Sequence, residues 1–336
     1  MRQFVQRHSF WSFVILVAAG LFLWLVFAVW PEWLEDAIGR KKTFVTTFLN
    51  GLTLGGLYFL VASGFTLVFG LMRNVNLAHG SMYLLGAYVG YEAAEATGNW
   101  FVGLAVAFLA IAVTGILLQV VIFRRMEGQD LRQTLVTIGI SIIAADLMLA
   151  VWSGTTYQFN PPEWLIGAAE LPVISALRSN GEAVYLKYPL YRLTVLGVAV
   201  AVGIALWLFL NRTRVGMMIR AGVNDRDMLA ATGVNVQLVF ALVFAIGAGL
   251  AGFAGVVGGT ALSIAPGEDI RYLLASLVVV IVGGLGSVTG AAIGALLIGL
   301  AEQFGLAYMP TYGVVLTFLI MVVVLAVRPQ GVMGQA

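Results

Sequence analysis

The chain has no cysteine, which excludes disulfides, thiolate metal sites and a cysteine nucleophile. Its two histidines, His8 and His79, are too few for a histidine-rich metal centre, and no metal site is expected. Lysine occurs only as Lys41, Lys42 and Lys187, never directly after a glycine. A Walker A loop requires that pairing, because its lysine reaches the phosphates from a glycine-rich turn. The chain is therefore not its own ATPase by that route. No Gly-x-Ser-Gly sequence occurs, which argues against a rhomboid-type protease. Charge is also scarce. Only 10% of the 336 residues are charged, against about 25% in a soluble domain. The net charge of +2 points to no nucleic-acid partner.

What is present is apolar: 61% of the residues, with a mean hydropathy of +0.98. Such a chain cannot solvate a globular surface, so the lipid bilayer is its solvent. The apolar runs are continuous rather than alternating, which selects helices over a transmembrane barrel. The expected fold class is all-α: a polytopic bundle of eight or nine spans, each about 20 residues long. Spans are predicted near 10–30, 44–70, 77–97, 100–123, 131–152, 190–210, 238–262, 273–300 and 313–327. The first follows Arg2 and Arg7, and its apolar run from Phe10 to Trp30 is too long for a signal-peptide core. It reads as an uncleaved span. No soluble domain, low-complexity region or internal repeat is visible.

The long polar gaps are 153–189 and 211–237. Segment 211–237 holds four arginines against two aspartates, and 124–132 holds three against one glutamate and one aspartate. The positive-inside bias places both in the cytoplasm and 153–189 outside. Arg40, Lys41 and Lys42 then fall outside, against the bias. So does Arg328, unless Gly283–Gly284–Leu285–Gly286–Ser287 breaks the span 273–300.

Forty glycines lie densely within the spans. Gly51/Gly55, Gly86/Gly90, Gly286/Gly290 and Gly290/Gly294 have the small-xxx-small spacing that lets helices approach closely in lipid. The cluster 283–287 reads either as packing or as a broken helix with exposed backbone dipoles, as in transporter sites. The run Asn74–Val75–Asn76–Leu77–Ala78–His79–Gly80–Ser81 has two readings. Asn76, His79 and Ser81 line a cavity for a polar solute, with Gly80 allowing irregular backbone, or the run is a cytoplasmic turn with His79 capping a helix. Asp146, inside a span, is a proton carrier or a group paired with a neighbouring helix. Glu92 and Glu302, near span ends, are expected to be solvated.

The segment from Val215 to Val236 is the longest polar helix-like stretch. It carries Arg220, Asp225, Arg226 and Asp227, then Ala230, Ala231 and Gly233, and it has no proline. It is longer than most connections, and reads as a docking element or as a plain amphipathic linker.

These residues resemble a known family: the permease subunits of high-affinity branched-chain amino acid ABC importers. The resemblance rests on Asn50–Gly51–Leu52–Thr53–Leu54–Gly55, Phe69–Gly70, Asn76–Leu77–Ala78–His79–Gly80, Gly86–Ala87–Tyr88, Arg220–Ala221, Ala231–Thr232–Gly233–Val234–Asn235, Gly252–Phe253–Ala254–Gly255 and Gly283–Gly284–Leu285–Gly286–Ser287. These stretches run in the family's order over residues 44–331; residues 1–43 look like an added helix and loop. The resemblance implies a non-catalytic permease domain in a bacterial inner membrane. Its implied partners are a second homologous permease, two cytoplasmic ATPase subunits that hold ATP and Mg, and a periplasmic binding protein. Segment 211–237 then looks like the coupling segment, with Arg220, Ala221, Asp225, Asp227, Ala230, Ala231 and Gly233 as its contacts. It departs from the Glu-Ala-Ala…Gly pattern of other ABC importers. The substrate path is expected along Asn50, Gly51, Asn76, His79, Gly80, Ser81, Gly283, Gly284, Gly286 and Ser287. The cargo is leucine, isoleucine and valine, or alternatively urea or a short amide, since urea importers use similar permeases. An ion-coupled transporter with Asp146 or His79 as carrier is the rival class.

Overall fold

The computed structural model describes residue 35 and residues 40–72, 75–177 and 183–333. The expected first span, 10–30, lies outside the described residues, as do Asn74 and most of the loop 31–42. Among the described residues the order is α1 (Lys41–Met72), α2 (His79–Thr97), α3 (Trp100–Val121), α4 (Asp130–Trp152), a hairpin of β1 (Ala168–Leu177) and β2 (Ala183–Pro189), then α5 (Leu190–Arg212), α6 (Arg214–Asn224), α7 (Arg226–Ala231), α8 (Val236–Ala261), α9 (Glu268–Gly283), α10 (Val288–Tyr308) and α11 (Gly313–Val327). Of these, α1, α3, α4, α5, α8 and α10 are long and apolar enough to cross a membrane. The chain is a multi-pass helical membrane protein.

Local signals set the helix ends. Gly98, at φ +64°, closes α2, and the Asn99 side chain caps α3 by accepting from the Phe101 N–H at 2.9 Å. Asn235 caps α8 and Ser287 caps α10 in the same way. The centre of the bundle is α1 and α8. They meet where a Cβ on Gly64 would lie 2.2 Å from the Gly247 carbonyl oxygen. The helix α2 reaches α8 at Gly86, where a Cβ would stand 2.3 Å from the Gly252 α-carbon. Gly51 and Gly55 press on α10.

The hairpin was not legible as structure in the gap 153–189. Its signal is the alternation in β2, where Leu186 and Tyr188 are buried while Tyr185 and Lys187 are exposed. An ion pair between Glu170 and Lys187 at 3.0 Å crosses the strands.

Each expected span among the described residues coincides with a helix, except 273–300. That stretch is not one crossing. It divides into α9 and α10, joined by a turn with Gly284 at φ +111° and Gly286 at φ +80°. Both values suit glycine and strain other residues. The two helices run antiparallel: a Cβ on Gly283 would lie 2.2 Å from the Gly290 carbonyl oxygen. The expected helical pair Gly286/Gly290 is therefore corrected, because Gly286 sits in the turn and packs on Gly70 instead. After α11 the chain returns to this turn, with the Val332 and Met333 N–H groups donating to the carbonyls of Val282 and Gly283, both at 2.9 Å. Arg328 thus falls at the end of the bundle that carries 211–237, which removes its conflict with the charge bias.

Candidate functional site

The polar segment is two helices rather than one. Thr213 caps α6, accepting from the Gly216 N–H at 3.0 Å. Asp225 is extended and caps α7, accepting from the N–H groups of Asp227 (2.9 Å) and Met228 (3.0 Å). Ile219, Gly222 and Leu229 are buried against the bundle, while Arg220, Ala221, Asp227, Met228, Ala230 and Ala231 are exposed. Arg226 roots the segment. It donates to the carbonyls of Leu71 and Met72, stacks over Phe240 at 4.7 Å and pairs with Glu127 at 3.5 Å. Gly233, at φ +86°, ends the unit before α8. The result is a structured, outward-facing platform that α5 enters, α8 leaves and Arg226 ties to the end of α1.

Beside the platform lies a cavity of about 870 Å³. Its lining includes Gly70, Arg220, Ala221, Gly286, Ser287 and Val288. Two expected path residues, Gly286 and Ser287, are therefore brought together with two expected coupling residues, Arg220 and Ala221. Arg220 also donates to the Asn211 side chain at 2.9 Å. Gly283 lies behind this cavity against Gly290.

Residues 76–81 are inside the bundle, not in a turn at its surface. His79 is 1% exposed and its Nε2 lies 3.1 Å from the Val61 carbonyl oxygen. Val61 is about 16 Å back along α1 from Met72, at ~1.5 Å per residue. Helix α2 therefore starts at depth. Asn76, also buried, accepts from the Ala78 N–H at 3.1 Å, and Ser81 shares a 2.8 Å hydrogen bond with Ser141 on α4. A Cβ on Gly80 would stand 2.1 Å from the Asp269 carbonyl oxygen, so the first turns of α2 and α9 meet within the bundle. Irregular backbone is tolerated at this depth only within protein or beside a cavity.

Asn50 lies near the far end of α1 in a network of its own. Its side-chain oxygen accepts from Arg192 and from the Tyr188 hydroxyl (3.0 Å), and Tyr188 also bonds Thr53 at 3.1 Å. This network ties β2 and α5 to α1. Gly51 packs against Leu300 of α10. The expected path residues are thus spread over three levels of the bundle rather than one cavity.

One cluster was missed from sequence. Glu302, expected to be solvated, accepts from the Tyr58 hydroxyl at 2.6 Å and pairs with Arg271 at 3.7 Å; its side chain is only 13% exposed. Arg271 also pairs with Glu268 at 3.4 Å and lies over the Tyr272 ring. Tyr272 stacks on Tyr83 at 4.2 Å and meets Tyr58 edge-on at 6.0 Å. Asp269 is buried in the same first turn of α9. The one available sequence signal was three charges, Glu268, Asp269 and Arg271, opening an apolar helix. Asp146 stands apart, exposed on α4. Glu92 is exposed, as expected, and accepts from the Trp152 indole at 3.0 Å.

Comparison with known proteins gives one consistent answer. Residues 47–325 match the family described as the permease component of the branched-chain amino acid transport system. The high-affinity branched-chain amino acid transport system permease protein LivH of Escherichia coli (strain K12) is 30% identical over 308 residues, covering 87% of this chain and 96% of that protein. The corresponding permease BraD of Pseudomonas aeruginosa is 29% identical over 305 residues, with the same coverage. A probable branched-chain amino acid transport permease, LivH of Methanocaldococcus jannaschii, is 25% identical over 295 residues, covering 85% and 91%. No solved structure matches.

Proposed function

Because the chain belongs to the family of branched-chain amino acid transport system permease components, we propose that it is the membrane subunit of an ATP-driven importer carrying leucine, isoleucine and valine across the inner membrane. The observation that carries this reading is the platform α6–α7. It is structured, outward-facing and rooted by Arg226 in the ends of α1 and α8. The chain has no Walker A loop of its own, so in this reading ATP is hydrolysed by partner subunits. Two cytoplasmic ATPase subunits, holding ATP and Mg, dock on Asp227, Ala230, Ala231 and their neighbours. Their closure moves the platform, and α1, α5 and α8 move with it. The cavity shared by Arg220, Gly286 and Ser287 opens at this end, and a second permease completes the path. A periplasmic binding protein delivers the cargo at the other end.

The test is purification of the chain from its native membrane, with ATPase activity assayed in the eluate. Co-purifying ATPase subunits, stimulated by a binding protein loaded with leucine, are expected. Stimulation by urea and not leucine would move the cargo to the amides. A chain that purifies alone and transports in liposomes on an ion gradient without ATP would overturn the reading.

A further inference from the structure

The cluster at Glu302 has no part in the coupling platform or its cavity. Glu302 lies about 21 Å along α10 from Val288, and Tyr58 about 21 Å along α1 from Met72, at ~1.5 Å per residue. The hydrocarbon layer is about 30 Å thick, and α1 ends where α10 starts, at the end of the bundle where Gly286 packs on Gly70. The cluster therefore sits at membrane depth. Yet the Arg271 side chain is 46% exposed on the surface of this chain. An arginine at that depth faces protein or a water-filled path, not lipid. This face is thus covered by protein or lines the path.

The charges do not balance. Glu268 and Glu302 both pair with one guanidinium, and Asp269 adds a further buried carboxylate to the same helix turn. The α9 N-terminus favours Glu268 and Asp269, which leaves Glu302 held by Tyr58 and only loosely by Arg271. The ion pairs of Arg271, at 3.4 and 3.7 Å, are longer than a charge-assisted hydrogen bond of about 2.7–2.9 Å. A second, independent feature points to a ligand. The Tyr272 hydroxyl is buried within this cluster with no partner at hydrogen-bond geometry, although Tyr83 lies near it. Such a group is costly unless something pairs it.

From this arrangement we infer that Arg271, Glu302, Tyr58 and Tyr272 form one half of a transient binding site for the zwitterion of an α-amino acid. The guanidinium of Arg271 takes the α-carboxylate, Glu302 accepts from the α-ammonium, and the Tyr272 hydroxyl supplies a further hydrogen bond. The cargo's ammonium gives Glu302 a direct counter-charge, and its carboxylate completes the loosely paired arginine, with no change in the net charge of the cluster. The inference rests on the importer reading above and assigns its cargo a place in the path.

The test uses the complete transporter, with its ATPases and binding protein, reconstituted in liposomes. Wild type is compared with Arg271→Gln, Glu302→Gln and the exchanged pair Arg271→Glu/Glu302→Arg. Assembly is followed by size-exclusion chromatography, and leucine transported per ATP hydrolysed is measured. All three variants are expected to assemble but to lose transport per ATP by about tenfold or more, the loss of one charge-assisted hydrogen bond. Unchanged transport in the single variants overturns the inference. Single-variant losses of assembly or transport that the exchanged pair repairs would also overturn it, since they mark an ion pair that only fastens α9 to α10. A wild-type complex that moves no leucine sinks the importer reading instead.

Discussion

Arg226 donates a 3.0 Å hydrogen bond to the Leu71 carbonyl, and so the first residue of α7 caps the last turn of α1 across 155 positions of sequence. In the proposed coupling, this bond is the route by which motion of the platform would reach the central helix. The Met72 carbonyl and the Phe240 ring hold the same guanidinium. Arg226→Ala is expected to cost about 1.5–3 kcal/mol at the charged contact and to separate ATP hydrolysis from uptake. Leucine transported per ATP in liposomes, with melting of the purified chain in detergent, checks both. Coupling that survives would remove α1 from the transmission route.

Gly233 sits at φ +86° and an added Cβ would meet nothing within 4 Å, so any penalty there is conformational rather than steric. A left-handed non-glycine residue costs about 1–2 kcal/mol. Gly233→Val should leave the bundle folded, shift the join between α7 and α8, and reduce ATPase co-purification. Full co-purification would place the docking contact elsewhere.

Helices α1 and α8 meet at Gly64 and Gly247 with no room for a side chain. Gly64→Leu must part them, and overpacking costs typically about 1–3 kcal/mol or more. At Gly139, on α4, an added Cβ would meet nothing within 4 Å. There, Gly139→Ala is expected to stabilise by up to about 1 kcal/mol. Opposite shifts in the melting temperature of the two variants are the expected result.

Asn50 spends its side-chain oxygen on Arg192 and Tyr188. Asn50→Leu should therefore loosen the hairpin, seen as faster proteolysis within 168–189. Unchanged proteolysis alongside altered uptake would return Asn50 to the substrate path.

Asp146 lies among exposed Ile142, Ile143 and Leu147 on α4, and it does not line the cavity beside the platform. Asp146→Asn is expected to keep wild-type uptake, and uptake should survive collapse of the proton gradient. A proton carrier would lose on the order of 100-fold.

Helix existence and order were legible because lipid imposes one rule: a run of about 20 apolar residues must satisfy its own backbone as a helix. The glycine turn at 283–287 was visible as a weak point, but its outcome was not. Whether those glycines pack or reverse the chain depends on Gly70, Gly290 and Gly331, which approach only after folding. His79 could be a surface cap or a buried group, and the choice fell to Val61, on a different helix. Glu302 was misread as solvated because its partner, Tyr58, is 244 residues away.

By itself, the sequence determined the solvent, the helical class, the polar platform segment and the absence of an ATPase loop, since each follows from local composition or spacing. Only the tertiary structure decided where α2 starts, how α9 and α10 divide, and that Arg271, Glu302, Tyr58 and Tyr272 share one site. Those depend on contacts between distant helices, where burial and hydrogen bonding are set by what packs alongside and not by neighbours in the chain.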